Sequence, residues 1–179
     1  MKSELMLNEK AQFWYSDFLI AIFILAIISF LFIINIAELN SKQDNAQLIT
    51  NEAISISNNF MSEGYCPTNC YSDWINKDGR VGFVHQGRVE MDKLNDFINL
   101  VSNDYDISKI LLGTKNDYVF YFENSDNNKI RIGDSDYLVY GKVNDIAEIN
   151  ADSFIKINRF VYLPIGEKGE IVKLVVVVW

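Results

Sequence analysis

The residues of this sequence best equipped for chemistry are two cysteines and one histidine. The cysteines stand in Cys66-Pro67-Thr68-Asn69-Cys70, with three residues between them. Disulfide exchange of the thioredoxin kind uses two intervening residues. A structural zinc site takes about four nitrogen or sulfur ligands, more than these thiols and His85 supply, so no metal is expected. In an oxidising compartment the pair predicts a disulfide closing a small loop, contributing about 2 kcal/mol through loop entropy. A reduced thiol pair is the alternative. His85, beside Gln86 and Gly87, lacks the Ser, Cys or Asp pattern of a nucleophilic triad. Triad partners can be distant in sequence, but an ordinary surface histidine is the simpler reading.

A third candidate is the oxygen-rich stretch NSDNNKIRIGDSD at 124–136. An EF-hand calcium loop needs Gly at its sixth position and Glu at its twelfth. Counting from Asn124 gives Lys129 and Ser135; counting from Asp126 gives Arg131 and Tyr137. The pattern fails, and a hairpin turn accounts for the composition, with an irregular calcium site as the alternative. There is no Gly-rich phosphate loop, GxSxG, HExxH or repeated CxxC. Neither a catalytic residue nor a cofactor is expected.

The elements that must carry these residues begin with an anchor. Phe18–Ala37, FLIAIFILAIISFLFIINIA, holds 20 residues without a charge. As a helix it spans roughly 30 Å, the thickness of a bilayer's hydrocarbon core. A cleaved secretory signal would have a shorter apolar run and a small-x-small site, which Asn35-Ile36-Ala37-Glu38 lacks. Lys2 and Lys10 precede the run and only Lys42 closely follows it. The positive-inside rule therefore favours a cytoplasmic N-terminus. The reading is a cytoplasmic leader at 1–17, a transmembrane helix at 18–37 and an extracellular remainder. The chain has 16 Lys or Arg and 24 Asp or Glu; two bases and three acids precede residue 38, leaving a charge of −7 on 38–179. That acidity gives no electrostatic basis for nucleic-acid binding and keeps an ectodomain soluble.

Beyond the bilayer the helix should continue over 38–62. Ala46, Ile49, Ala53, Ile56 and Phe60 recur at steps of three and four and share one face; Gly64 suits the stop. Residues 63–80 read as a loop, with a short strand or hairpin at Val81–Val89. Met91, Leu94, Phe97, Ile98 and Val101 predict a short amphipathic helix. Ile107–Leu112 predicts another, capped by Gly113. Strands are expected at Tyr118–Phe122, Lys129–Ile132, Tyr137–Val143, Ile155–Leu163 and Glu170–Val178. The last is apolar on both faces after Lys173 and should lie at the centre of the sheet. The fold class is α+β: a long N-terminal helix, two short helices, and an antiparallel sheet of four to five strands in an ectodomain at 63–179.

The junction Glu9-Lys10-Ala11-Gln12-Phe13-Trp14-Tyr15-Ser16-Asp17-Phe18 joins a charged leader, a small residue and Gln to an apolar helix with one acid near its start. It resembles archaeal type IV pilin-like proteins with a class III signal peptide. The stretches FMSEGY, KLNDFINL, DYDISKILLG and KLVVVVW also resemble membrane-anchored pilin-like proteins of archaea. The resemblance implies cleavage by a prepilin peptidase, with Lys10 as the preceding base, Ala11 before the cut and Gln12 as the new N-terminus. It implies that Asp17 serves as the helix-assembly acid, neutralising the terminal amine of a neighbouring copy. Asp17 is sixth after that cut where the family has its acid fifth, Ala11 replaces the commoner Gly, and Glu9 stands where another base is usual. Alternatively, Asp17 simply lies among lipid headgroups. The implied function is a structural subunit of a surface filament, with the lipid bilayer, other pilin-like copies and the peptidase as partners. Two other readings are a monomeric anchored ectodomain that binds a partner or small ligand, and an anchored enzyme, which a pocket lined by His85 and paired acids would favour.

Overall fold

A computed structural model of the protein describes residues 2–76, 78–133, 137–151, 153–165 and 169–179, with side chains of the first helix described at 15–38 and from 46 onward. Helix α1 covers Lys2–Phe60, and the chain divides into two compact units, Met1–Asn45 and Ala46–Trp179.

In the first unit, Tyr15–Glu38 has a mean hydropathy of 3.1 and none of it is buried. At about 1.5 Å per residue these 24 residues are long and apolar enough to span a membrane, and the expected span at 18–37 lies inside them. They are the one such segment among the described residues. Asn35, polar within the run, donates its amide to the Leu31 carbonyl at 2.7 Å, which satisfies it on its own helix.

The second unit is α+β. After the last part of α1 come α2 (Cys70–Ile75), β1 (Val84–His85), β2 (Arg88–Val89), α3 (Met91–Asn103), α4 (Tyr105–Leu112), β3 (Tyr118–Glu123), β4 (Lys129–Ile130), β5 (Tyr140–Gly141), a 3₁₀ turn (Ile146–Glu148), β6 (Ile155–Leu163) and β7 (Glu170–Val178). The described strands form one seven-stranded sheet in the order β1-β2-β6-β7-β3-β4, with β5 also on β3. Every pairing is antiparallel except β2 with β6, which meet in parallel at Arg88 and Tyr162. The sheet is therefore mixed and larger than the antiparallel four to five strands expected. The added strands are two residues long, too short to show a period. The expected strand Tyr137–Val143 shrinks to β5, which ends at Gly141 with a φ of 144°. The two short helices expected become three, plus the 3₁₀ turn.

Strand β7 is central, paired with β6 through Ile155↔Val178 to Leu163↔Glu170 and with β3 through Tyr118↔Val178 to Glu123↔Lys173. Its residues Leu174 to Val178 are all buried, as the apolar run predicts. Val172, Leu174, Val176 and Val178 face the main core. Val175 and Val177 face the other side, with Val119, Tyr121 and Val139, under Val143, Ile146, Ile149 and Trp179. Elsewhere the outer face is open: Phe160 and Ile171 are each 70% exposed. Strand β6 pairs with β7 along its whole length but with β2 at Tyr162 alone.

The main core is aromatic. Phe60, at the end of α1, lies 5.0 Å from Phe83, 5.3 Å from Phe97 and 5.1 Å from Phe120, centroid to centroid. Ala53 and Ile56 are buried beside it, Ile49 is half-buried, and Ala46 is exposed, so the apolar stripe is useful from Ile49 onward. Ser57, a polar residue on the last turns of α1, is buried. Its hydroxyl accepts the Arg159 Nε at 2.9 Å while Asn58 Oδ1 accepts Nη2 at 3.0 Å, tying α1 to β6. Gly113 ends α4 at φ 68°, the left-handed C-cap its position predicts.

Glu52 makes a second clamp. Its carboxylate accepts hydrogen bonds from the Thr114 hydroxyl, from Asn116 Nδ2 at 3.1 Å, and from the Lys115 and Asn116 amides at 3.3 Å each. Burial by itself raises this carboxyl, but those bonds outweigh it and hold the group below its ordinary range. The depressed value means that folding gains from Glu52 above its unfolded pKa and loses that gain as pH falls through the folded one. Glu52→Ala should cost about 1.5 kcal/mol near neutrality. The gap between variant and wild type in urea unfolding should narrow as pH falls below the ordinary carboxylate range; a gap independent of pH would refute the carboxylate's role.

Candidate functional site

The short strands β1 and β2 form a hairpin whose two-residue turn, Gln86-Gly87, has φ of 50° and 79°. Positive φ at both positions is the turn that matches strand twist, and it needs Gly87. The hairpin presents His85 at its tip. Two further segments are bonded to this neighbourhood. Val84 N donates to the Ser62 carbonyl at 3.0 Å, and Glu90 N donates to the Phe83 carbonyl at 2.8 Å. These bonds bring Glu63, just past α1, and Glu90, the residue preceding α3, alongside His85.

The side chains meet. His85 Nδ1 lies 3.0 Å from Glu63 Oε2. Lys93 Nζ lies 2.8 Å from Glu90 Oε2 and donates to the Glu63 carbonyl at 2.7 Å. An open cavity of about 620 Å³ adjoins them, lined among others by Cys70, His85, Arg88, Glu90, Lys93 and Pro164. Its lining carries the carboxylates of Glu90 and Asp92, one imidazole and the cations of Arg88 and Lys93, groups that suit a small polar or charged ligand.

Compared with protein-family models, with curated proteins and with solved structures, the chain has no match. The site therefore rests on its own geometry. His85, read from sequence as an ordinary surface residue, has acidic neighbours that lie 22 residues before it (Glu63) and five after it (Glu90). No spacing rule marks them. Only the hairpin and the two backbone bonds bring them together.

Cys66 and Cys70 are placed as a disulfide, with Cα atoms 4.9 Å apart. The region expected to be a plain loop contains α2 because Asn69 caps it, accepting Ser72 N at 3.1 Å. Asp73 accepts Thr68 N at 2.8 Å, Thr68 Oγ1 at 2.7 Å and Asn69 N at 3.0 Å. The Thr68 bonds lead in holding its carboxyl below the ordinary range. The turn at 124–128 is a hairpin loop: Asn124 Oδ1 accepts Asp126 N at 3.0 Å and Asn128 N at 2.9 Å. Asp126 joins that turn through its backbone amide, and Asp134 and Asp136 of the same stretch lie outside the described residues.

Asp17 lies exposed within Tyr15–Glu38. The residues read as the processing site, Lys10, Ala11 and Gln12, lie outside the described side chains.

Proposed function

We propose that the chain is a membrane-anchored, pilin-like structural subunit of an archaeal surface filament. In this reading the N-terminus is cytoplasmic, the second unit is extracellular, and the protein has no catalysis of its own. The observation that carries it is the apolar segment Tyr15–Glu38, none of which is buried, with Asp17 near its start. Apolar side chains on every face of a helix call for lipid or other helices as neighbours. An acid at the lip of such a helix is costly if it is buried unpaired in lipid. A neighbouring copy's terminal amine would offset that cost, which gives Asp17 a role in assembly. The leader motif Lys10-Ala11-Gln12 supports the same reading.

Expression beside an archaeal prepilin peptidase tests it. The membrane-extracted protein should begin at Gln12 by intact mass and N-terminal sequencing, and should enter filaments. An intact Met1 removes the processing claim, and a processed but monomeric protein removes assembly. One observation favours a second reading, a monomeric anchored ectodomain that binds a small ligand: the open cavity beside His85. Uniformly monomeric protein in its own membrane is the outcome that reading requires.

A further inference from the structure

We propose that Glu63, His85 and Glu90 bind a divalent transition-metal ion of the zinc class. One ligand atom from each lies within 4.8 Å of the other two. Zinc binds nitrogen and carboxylate oxygen at about 2.0–2.2 Å, so ligand atoms around one ion stand about 3–3.5 Å apart. The His85 Nδ1 to Glu63 Oε2 separation of 3.0 Å is already that spacing. Glu90 closes the remaining gap by rotating a partly exposed side chain.

The backbone beneath the three ligands is fixed. The Ser62–Val84 and Phe83–Glu90 hydrogen bonds, at 3.0 and 2.8 Å, link the three segments directly, and the hairpin turn sets the height of His85. A preorganised set of this kind binds without first ordering a loop.

Donor type selects the ion. An imidazole with two carboxylates suits zinc and its first-row neighbours, whereas calcium and magnesium prefer oxygen alone. Two carboxylates also neutralise a dication. Three protein ligands leave coordination free on the side of the cavity, where water or a ligand anion can bind.

Lys93 is the competitor. Its ammonium shares Glu90 Oε2 and the Glu63 carbonyl, so metal entry requires its departure. The pair is only partly exposed, so breaking it offsets part of the ion's affinity, while the released Glu63 carbonyl becomes an additional oxygen donor. Affinity for the ion should therefore rise when Lys93 loses its charge. The proposal stands apart from the filament reading: it concerns the second unit alone.

The test uses the full chain in detergent, without a polyhistidine tag, dialysed against Zn²⁺ alone. One zinc per chain is expected. Loss of even an outer-shell partner costs metal sites about 10–100-fold in affinity, so His85→Ala, Glu63→Gln and Glu90→Gln should each weaken binding at least about tenfold. Lys93→Met should strengthen it. Circular dichroism checks that each variant folds; Glu63 and His85 are exposed, and Glu90 and Lys93 are half-buried. No bound zinc, or binding unmoved by His85→Ala, would overturn the site.

Discussion

A chain that stops at Lys173 will not fold its second unit. The missing residues include Leu174 to Val178, all buried in the middle of the sheet. Each aliphatic side chain contributes about 1.5–3 kcal/mol by burial, so the five together approach or exceed the roughly 5–15 kcal/mol net stability of a typical domain. The loss is also topological. Without 174–178, β3 and β6 lose the strand that joins them over Tyr118–Phe122 and Ile155–Arg159. Their inward amides and carbonyls are then left unpaired. Trp179 goes too, with its backbone bonds to Asp117 at 3.0 and 3.1 Å. Far-ultraviolet circular dichroism and limited proteolysis should show a protease-sensitive chain with no cooperative unfolding transition. A truncated protein with a wild-type transition would mean that β7 is dispensable and the topology wrong.

Phe60→Ala is the point substitution with the largest expected cost, about 3–5 kcal/mol. Phe60 is 0% exposed and touches rings from three other segments: Phe83, Phe97 and Phe120. Removing it opens a cavity where the end of α1, the approach to β1, helix α3 and strand β3 converge. The tilted and stacked ring pairs add about 0.5–1.5 kcal/mol each beyond area burial. Ile54→Ala, on the exposed side of the same helix, serves as the control and should cost less than about 1 kcal/mol. Urea midpoints of the two variants at constant slope measure the difference. Equal midpoints would mean that the last turns of α1 are not part of the core.

The long-range order of the sheet was legible where side chains repeat. Ile155–Leu163 and Glu170–Val178 carry nine residues each, enough for alternation or unbroken apolarity to identify them, and both bounds match the expectation. Met91 to Val101 announced α3 through its 3.6-residue period. The hairpin at Val84–Val89 was visible as a possibility, but its parallel contact with β6 was not. One register pair, Arg88↔Tyr162, leaves no pattern in either segment. Helix α2 was hidden for a different reason. Its six residues are held by Asn69 and Asp73 side chains bonding to backbone, and those residue types equally signal a turn. Ser57 is polar yet buried, which local sequence does not show, because its partner Arg159 lies 102 residues away. The His85 cluster was unreadable for the same cause: its members come from three segments, and only the folded hairpin defines their distances.

The half-paired strand β6 has one more consequence. Over residues 155–161 its far side has no strand partner among the described pairings, next to the bare ring of Phe160. A row of donors and acceptors without a strand partner, with grease beside it, is a natural template for an intruding segment from another molecule, the first step toward fibrils. Lys156 and Arg159 stand on opposite faces of that strand, one engaged by Glu123 at 3.4 Å and the other by Ser57 at 2.9 Å. Their charges act as gatekeepers, since an intruder on either face would have to lie against a fixed cation.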